Sequence, residues 1–465
     1  MEWLKTVNDV VRTAVWGPPM LVLLLGAGVY FTVRTGFFQL RRLPLWLKKT
    51  IFSCFTGKAR EKTGAGGISQ FGSMCTALAA TVGTGNIAGV ATALTLGGPG
   101  AVFWMWVSAF FGMMTAFAEN VLGVKYRERG PDGKWRGGPM LYLKNGLGSP
   151  LLAGLFSLFC VLASFGIGNM SQCNSIAQGL SGSFGVPPLA TGLVTAVCLG
   201  AVMLGGLSRI ASVTEKLVPF MALFYMGGAV AVLVLHRAAV PAAFVEIMGG
   251  AFGLRAGVSG VAGYGVMQAV QCGISRGVFS NEAGLGSSVM VHAAADVKEP
   301  CEQGMWAVFE VFFDTIVMCT VTALVILSSG VYDPARYGLA AGTPLMASLA
   351  TGARLTASAF STVFGAWGGG FVSLSLVLFA FSTLLGWSYY GQRGMEYLFG
   401  ERFVPLYKFL FVGMTVVGCT MELSLAWEIS DTFNGLMALP NVLGVLALSG
   451  EVLAEWKRYR GTLGR

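Results

Sequence analysis

Charge is scarce in this chain of 465 residues. Only 11% of them are Asp, Glu, Lys or Arg, against about 25% in an ordinary soluble domain, and that excludes a soluble globule of this size. There is no Walker A loop to bind ATP, no nucleophile elbow, no HExxH and no pair of catalytic carboxylates with a plausible base, so the chain is not read as an enzyme. Histidine occurs twice, as His236 and His292, too far apart for a metal site and both at helix ends, where they suit a dipole or interface role. The nine cysteines are odd in number, lie mostly inside apolar runs and show no CxxC spacing, so they read as reduced, packed side chains. The net charge of +9 marks no nucleic-acid groove, because the Lys and Arg residues sit in the gaps between apolar runs without interleaved aromatics.

Apolar residue is what the chain has in abundance, at 54%. It is gathered into stretches of about 20 residues, the length that a roughly 30 Å hydrocarbon core asks of a spanning helix. About eleven spans are expected, near 18–33, 68–96, 101–125, 151–182, 187–206, 215–235, 262–291, 304–331, 368–390, 404–421 and 431–450. The basic flank of the first run follows it, and no small-residue cleavage site closes it, so it is read as a retained helix and not a signal peptide. Between Arg34 and Lys62 eight basic residues face one acid, Glu61, which places this loop in the cytoplasm and the N-terminus outside. Eleven crossings then put the C-terminus, with Lys457, Arg458, Arg460 and Arg465, in the cytoplasm, and the loop carrying Lys125, Arg127, Arg129, Lys134 and Arg136 agrees.

With the first span set aside, ten remain, and they divide five and five. An odd number per half inverts the second half against the first. The expected organisation is an N-terminal helix and basic loop (1–63), a first five-helix repeat (64–236), an extracellular connection (237–261), a second repeat (262–451) and a basic tail (452–465). The second repeat holds an extracellular segment, 332–367, whose helix-like stretch Leu345 to Phe364 includes Arg354; it reads as a lid or re-entrant helix, or alternatively as an amphipathic helix resting on the surface. Each half opens on a glycine-interrupted span, one around Ala79 to Gly89 and the other around Cys272 to Gly284. Broken helices in matching positions of inverted halves point to a transport site at mid-membrane.

In the first interruption Gly83 and Gly85 flank Thr84, and each glycine costs about 1 kcal/mol against alanine inside a helix. Unwinding there frees main-chain groups that hydrocarbon tolerates only around a polar cavity, and the amides of Thr84, Gly85 and Asn86 would begin a half-helix whose positive end suits a carboxylate. A packing face of the GxxxG kind is the competing reading. From Ala79 to Leu96 there is no Asp, Glu, Lys or Arg. A zwitterion fits such a site, its carboxylate on the half-helix amides and its ammonium on carbonyls of the other broken helix near Gly273 to Gly277.

The segments Thr81-Val82-Gly83-Thr84-Gly85-Asn86-Ile87-Ala88-Gly89, Gly97-Gly98-Pro99-Gly100-Ala101-Val102-Phe103-Trp104-Met105-Trp106, Gly137-Gly138-Pro139-Met140-Leu141-Tyr142 and Gly277-Val278-Phe279-Ser280-Asn281-Glu282-Ala283-Gly284-Leu285-Gly286 resemble the signatures of the alanine or glycine:cation symporters, also called sodium:alanine symporters. The resemblance runs from about residue 15 to 450. It implies a leucine-transporter-type inverted-repeat core preceded by one extra helix, moving a small neutral amino acid with sodium in a multi-pass protein of, by family, a bacterial cytoplasmic membrane. Carried over by position, it implies sodium ligands at the carbonyls of Ala79, Val82 and Phe379 and the hydroxyls of Ser382 and Thr383; the spacing of the last three puts them on one helix face. The two hydroxyls can equally bond back to their own helix.

For the pocket walls, Asn169 and Gln172 lie three apart on the fourth span and are candidates to reach the substrate, or else to join helices. Phe279 and Trp387 are candidates to fill space beside a small side chain, or else to pack. Among charged residues, Glu310 and Asp314 read as a cation path or gate, or as ion-pair partners of Arg276 or Arg393. Glu282 reads as a gate or helix cap, and Glu119 as an interfacial partner of the basic loop. The expected function is sodium-coupled uptake of alanine or glycine by alternating access, with no cofactor besides the co-transported ion. Proton coupling through Asp314 and Glu310 is the alternative, and a passive channel, which lacks a repeated filter motif here, the remoter one.

Overall fold

The computed structural model describes residues 2–61, 66–253, 261–333, 345–421 and 424–463. Parts of the expected basic loop (62–65), of the 237–261 connection (254–260) and of the 332–367 segment (334–344) lie outside the described residues. The chain is helical almost throughout, apart from a short cross-strand pair, β1 (Glu128–Arg129) with β2 (Trp135–Arg136). Large apolar side chains point outward along the bundle, among them Leu151, Val197, Leu204, Leu223 and Phe409, each more than 70% exposed. Such a surface is at home in lipid and not in water.

The order begins with α1 (Glu2–Val15) and α2 (Pro18–Arg34), which together make one long apolar span from Thr6. The basic loop after it folds into short helical turns. Next come α3 (Gln70–Thr81), capped by the Ser69 side chain accepting from the Gly72 amide, and α4 (Val90–Gly97), with a wide helical turn, Gly85–Gly89, leading into the latter. These two are bent by 50° about Val82 to Thr84, where the glycines and Asn86 leave the helix least to lose. The first interrupted helix is therefore present where the sequence places it.

There follow α5 (Gly100–Lys125), α6 (Pro150–Phe165), α7 (Ser171–Phe184), α8 (Pro188–Met203), α9 (Gly206–Leu235), α10 (Val240–Ala251), α11 (Val261–Asn281), α12 (Pro300–Val311), α13 (Thr320–Ser328), α14 (Leu345–Phe364), α15 (Trp367–Phe399), α16 (Val404–Thr420), α17 (Ser424–Ala447) and α18 (Ser449–Thr462). Among the described residues seven helices are long and apolar enough to cross a membrane, or nine if two bent pairs each count as one span, against the eleven expected. Two expected spans fall short: α8 has 16 residues, and α11 carries Gln268, Gln271 and Arg276.

The second interruption falls at the end of the expected Cys272 to Gly284 stretch, at Glu282 to Gly286, and not at Gly273 or Gly277. Helix α11 runs unbroken through Gly273 and Gly277 to Asn281, and the chain leaves it only at Glu282, whose φ of 56° is left-handed. The carbonyls near Gly273 to Gly277 are thus engaged in a helix and not open to an ammonium. Those glycines serve close packing: a Cβ at Gly273 would fall 2.3 Å from the Ala101 carbonyl oxygen, and one at Gly277 3.3 Å from the Ser108 side chain. Helix α14 is wedged against the first break, with the buried Thr356 hydroxyl donating to the Ile87 carbonyl (3.1 Å), so it does not rest on the surface as a free amphipathic helix.

Replacing Gly273 by leucine should lower stability by about 1–3 kcal/mol through overpacking, while Gly265→Ala, where no atom lies within 4 Å of the new Cβ, should not. Thermal unfolding in detergent measures both; equal melting temperatures for Gly273→Leu and the parent would remove the close-packing account.

Candidate functional site

At the first break the last bond of α3 runs from the Val82 amide to the Leu78 carbonyl (2.8 Å), and the next helix resumes with the Asn86 amide on the Gly83 carbonyl (3.3 Å). The amides of Thr84 and Gly85 precede that bond, as the first donors of any helix do. Asn86 holds the turn closed: its Oδ1 accepts from the Gly83 amide (2.9 Å), and its Nδ2 donates to the Asp314 carboxylate (2.7 Å) and carbonyl (3.1 Å). The Asn86 side chain is thereby committed to the fold of the break, and what it leaves for a guest is main chain. Asp314 is held by Asn86 and by the Thr315 hydroxyl (2.8 Å), on a wide helical turn, Phe312–Cys319, between α12 and α13.

Helix α15 lies against the break because Gly386 lets it approach: a Cβ there would stand 2.6 Å from that of Ala80. This brings Ser382 onto α3, its hydroxyl 3.1 Å from the Ala79 carbonyl oxygen and 2.8 Å from that of Phe379. The Thr383 hydroxyl lies 3.0 Å from the same Phe379 carbonyl, and a Cβ added to Gly83 would fall 2.5 Å from it. Carbonyls of Ala79 and Phe379 and hydroxyls of Ser382 and Thr383 therefore gather from two helices, with Val82 buried at the bend beside them. The hydroxyls do bond back to their own helix, and Ser382 bonds across as well. Uncharged oxygens in this number are ligands of the kind a small hard cation takes.

Beside these oxygens lies a cavity of about 20 Å³, bordered by Thr84, Gly85, Gln172, Phe279, Trp387 and Thr383. The Trp387 indole is fixed by donating to Glu282 (2.9 Å), and the Arg276 guanidinium stands 5.5 Å from the Phe279 ring. Thr84 also forms part of a much wider vestibule of about 680 Å³ between α7, α14 and α15, with Arg354 on its wall.

The model of the sodium:alanine symporter family matches residues 1–464. The chain belongs to that family. It is 46% identical over 463 residues to the sodium/alanine symporter AgcS of Methanococcus maripaludis, covering 99% of this chain and 98% of that one. To the probable sodium/glutamine symporter GlnT of Bacillus subtilis it is 35% identical over 458 residues, covering 98% and 91%. Among solved structures, MhsT in complex with L-phenylalanine matches with a TM-score of 0.57 at 14% identity, covering 86% of this chain and 93% of that one. A manganese transporter of Eremococcus coleocola matches with 0.51 at 15%, covering 82% and 78%. These likenesses establish the leucine-transporter-type fold. This protein is a sodium-coupled amino-acid symporter with several membrane-spanning helices, and not an enzyme.

In this symporter Asn169 and Gln172 part company. Asn169 belongs to a wide helical turn, Gly166–Met170, which shifts the angular register by which residues three apart share a face. It faces α16, donating to the Phe411 carbonyl (2.7 Å), and is not a wall of the cavity. Gln172 does line the cavity; its Nε2 donates to the Ile167 carbonyl (3.0 Å), leaving Oε1 buried without a partner. The wall also includes Glu282, read in the sequence as a gate or cap, and Asn434 of α17, which the sequence did not single out and whose Oδ1 is likewise buried and unpartnered. Glu119 is 1% exposed and accepts from Asn441 and the Gly284 amide (3.4 Å), so it anchors the second break and does not serve the basic loop. His292 is buried too, its Nε2 2.9 Å from Glu310 and its Nδ1 2.6 Å from Gln303 Nε2, away from any interface. Neither Asp314 nor Glu310 pairs with Arg276 or Arg393; Arg393 bonds Glu396.

Gly83→Ala should push the Thr383 hydroxyl aside and raise the sodium concentration for half-maximal uptake about tenfold, the effect of roughly 1.4 kcal/mol. Asn169→Leu should instead cost about 1–3 kcal/mol of stability with substrate affinity unchanged. Sodium titrations of uptake and thermal unfolding separate the two; a sodium requirement unmoved in Gly83→Ala contradicts the placing of Thr383.

Proposed function

We propose that this symporter imports alanine or glycine together with sodium by alternating access. The observation that carries the reading is the Ser382 hydroxyl on the Ala79 carbonyl, which joins an interrupted helix to α15 at a cluster of uncharged oxygens. Sodium takes the carbonyls of Ala79, Val82 and Phe379 and the hydroxyls of Ser382 and Thr383. The substrate carboxylate meets the amides at Thr84 and Gly85, where the half-helix N-terminus favours negative charge. Phe279 and Trp387 border the cavity and close it on a small side chain.

Sodium and substrate share the segment from Ala79 to Gly85 and the side chain of Thr383, so ordering by one lowers the cost of binding the other, and each raises the other's affinity by the same factor. Alternating access is supported by the asymmetry of the two ends of α15. Near its start, Gly369 to Leu376 line the vestibule. Twenty residues on from Ser373, about 30 Å along the helix, Arg393 and Arg136 bind Glu396 and shut the opposite end. By the distribution of Lys and Arg the open end is extracellular, the N-terminus lies outside and the basic tail is cytoplasmic, in what we assign as a bacterial cytoplasmic membrane. The helices from 64–236 and 262–451 form the two inverted halves around the site.

Purified protein in liposomes, given labelled alanine under sodium, lithium or proton gradients, tests the function. Uptake should follow the sodium gradient at clamped pH, and Thr383→Ala should raise the sodium requirement about tenfold, the loss of one oxygen ligand to a cation at roughly 1.4 kcal/mol. Uptake driven by a proton gradient without sodium would show the proton-coupled alternative to be right.

A further inference from the structure

The cavity wall is unbalanced in a way that the sodium ligands and the half-helix amides do not explain. Gln172, 4% exposed, and Asn434, 2% exposed, each present a buried amide oxygen with no hydrogen-bond donor among the described residues, and both border the cavity. Gln172 cannot relieve this by turning its amide round without giving up the bond from Nε2 to Ile167. A third acceptor, the Glu282 carboxylate, borders the same space. It is aimed by the Trp387 indole (2.9 Å) and the Ser287 hydroxyl, and it stands on a residue in the left-handed region, which L side chains rarely adopt. Such a conformation persists where the surroundings over-determine it, and that occurs most often at binding sites.

We propose that Glu282, Asn434 and Gln172 form the subsite for the substrate's ammonium group, and that the cavity selects a primary amine for its three N–H donors. The proposal rests on the amino-acid reading above and deepens it. The three side chains come from different parts of the chain: the turn after α11, the middle of α17 and the start of α7. Two buried acceptors without a donor are costly, and together with the Glu282 carboxylate, which keeps acceptor capacity beyond its bonds from Trp387 and Ser287, they call for a guest that donates three times and accepts nothing. An ammonium group does so. A second carboxylate would meet only acceptors, and a hydroxyl supplies one proton for three oxygens. The carboxylate of the substrate then lies towards Thr84 and Gly85, on the wall that offers donors.

Sodium-dependent binding of alanine and of N-methylalanine to the purified protein, measured by calorimetry, tests this in the parent and in Asn434→Leu, Gln172→Met and Glu282→Gln. The parent should bind alanine well and N-methylalanine at least tenfold more weakly, because one donor is lost. Each variant should bind alanine about tenfold or more weakly, and in Asn434→Leu and Gln172→Met the penalty for N-methylation should shrink, since the acceptor it starves is gone. A sodium-induced rise in melting temperature in each variant shows that it is folded and keeps the cation site. If the parent binds alanine but the folded variants match it in affinity and in N-methylation penalty, the subsite is refuted and the orphaned oxygens are satisfied by water. If the parent binds no alanine in sodium, the amino-acid reading itself falls.

Discussion

A main-chain amide or carbonyl released at mid-membrane has no water to turn to, and the structure is arranged around meeting that demand at Val82 to Thr84. The side chain of Asn86 takes the Gly83 amide, Ser382 takes the Ala79 carbonyl and Thr356 takes that of Ile87. Two of these three partners arrive from other helices, so the break holds only when α14 and α15 are packed against it. The donors and acceptors left over, at Thr84, Gly85 and the oxygens beside Thr383, are the groups that we propose a zwitterion and a cation complete.

The same logic governs the second break. Its turn is pinned by Asn281 accepting from the Ala283 amide (3.0 Å), by Glu119 on the Gly284 amide (3.4 Å) and by Asn441 on the Gly284 carbonyl (2.8 Å). Buried carboxylates in a membrane protein are costly unless they are fully bonded, and here Glu119, Glu282 and Asp314 each receive hydrogen bonds from neighbouring helices or turns. They tie the two interrupted segments to the helices around them.

What was legible in the sequence followed from local chemistry. Gly83-Thr84-Gly85-Asn86 announced the first break because two glycines and an asparagine in four residues weaken a helix whatever surrounds it, and the spacing of Phe379, Ser382 and Thr383 held because α15 is regular there. Where the outcome depended on packing, residue type misled. Gly273 and Gly277 resemble a break and are instead contacts with α5, while the true turn carries Glu282 at a left-handed position that glycine usually fills. Asn169 and Gln172 are three apart, but the wide turn at Gly166–Met170 sends one to α16 and leaves the other at the cavity. Asn434 bears no local mark, since only the docking of α17 against the breaks makes its amide a wall.

Hydrogen–deuterium exchange at residues 82–86 examines the grip of the interrupted main chain most directly. With sodium and alanine together, the amides of Thr84 and Gly85 should become protected, and sodium alone should slow exchange there only in part. Protection that is already complete without either solute, or that is unchanged when both are added, would contradict the account.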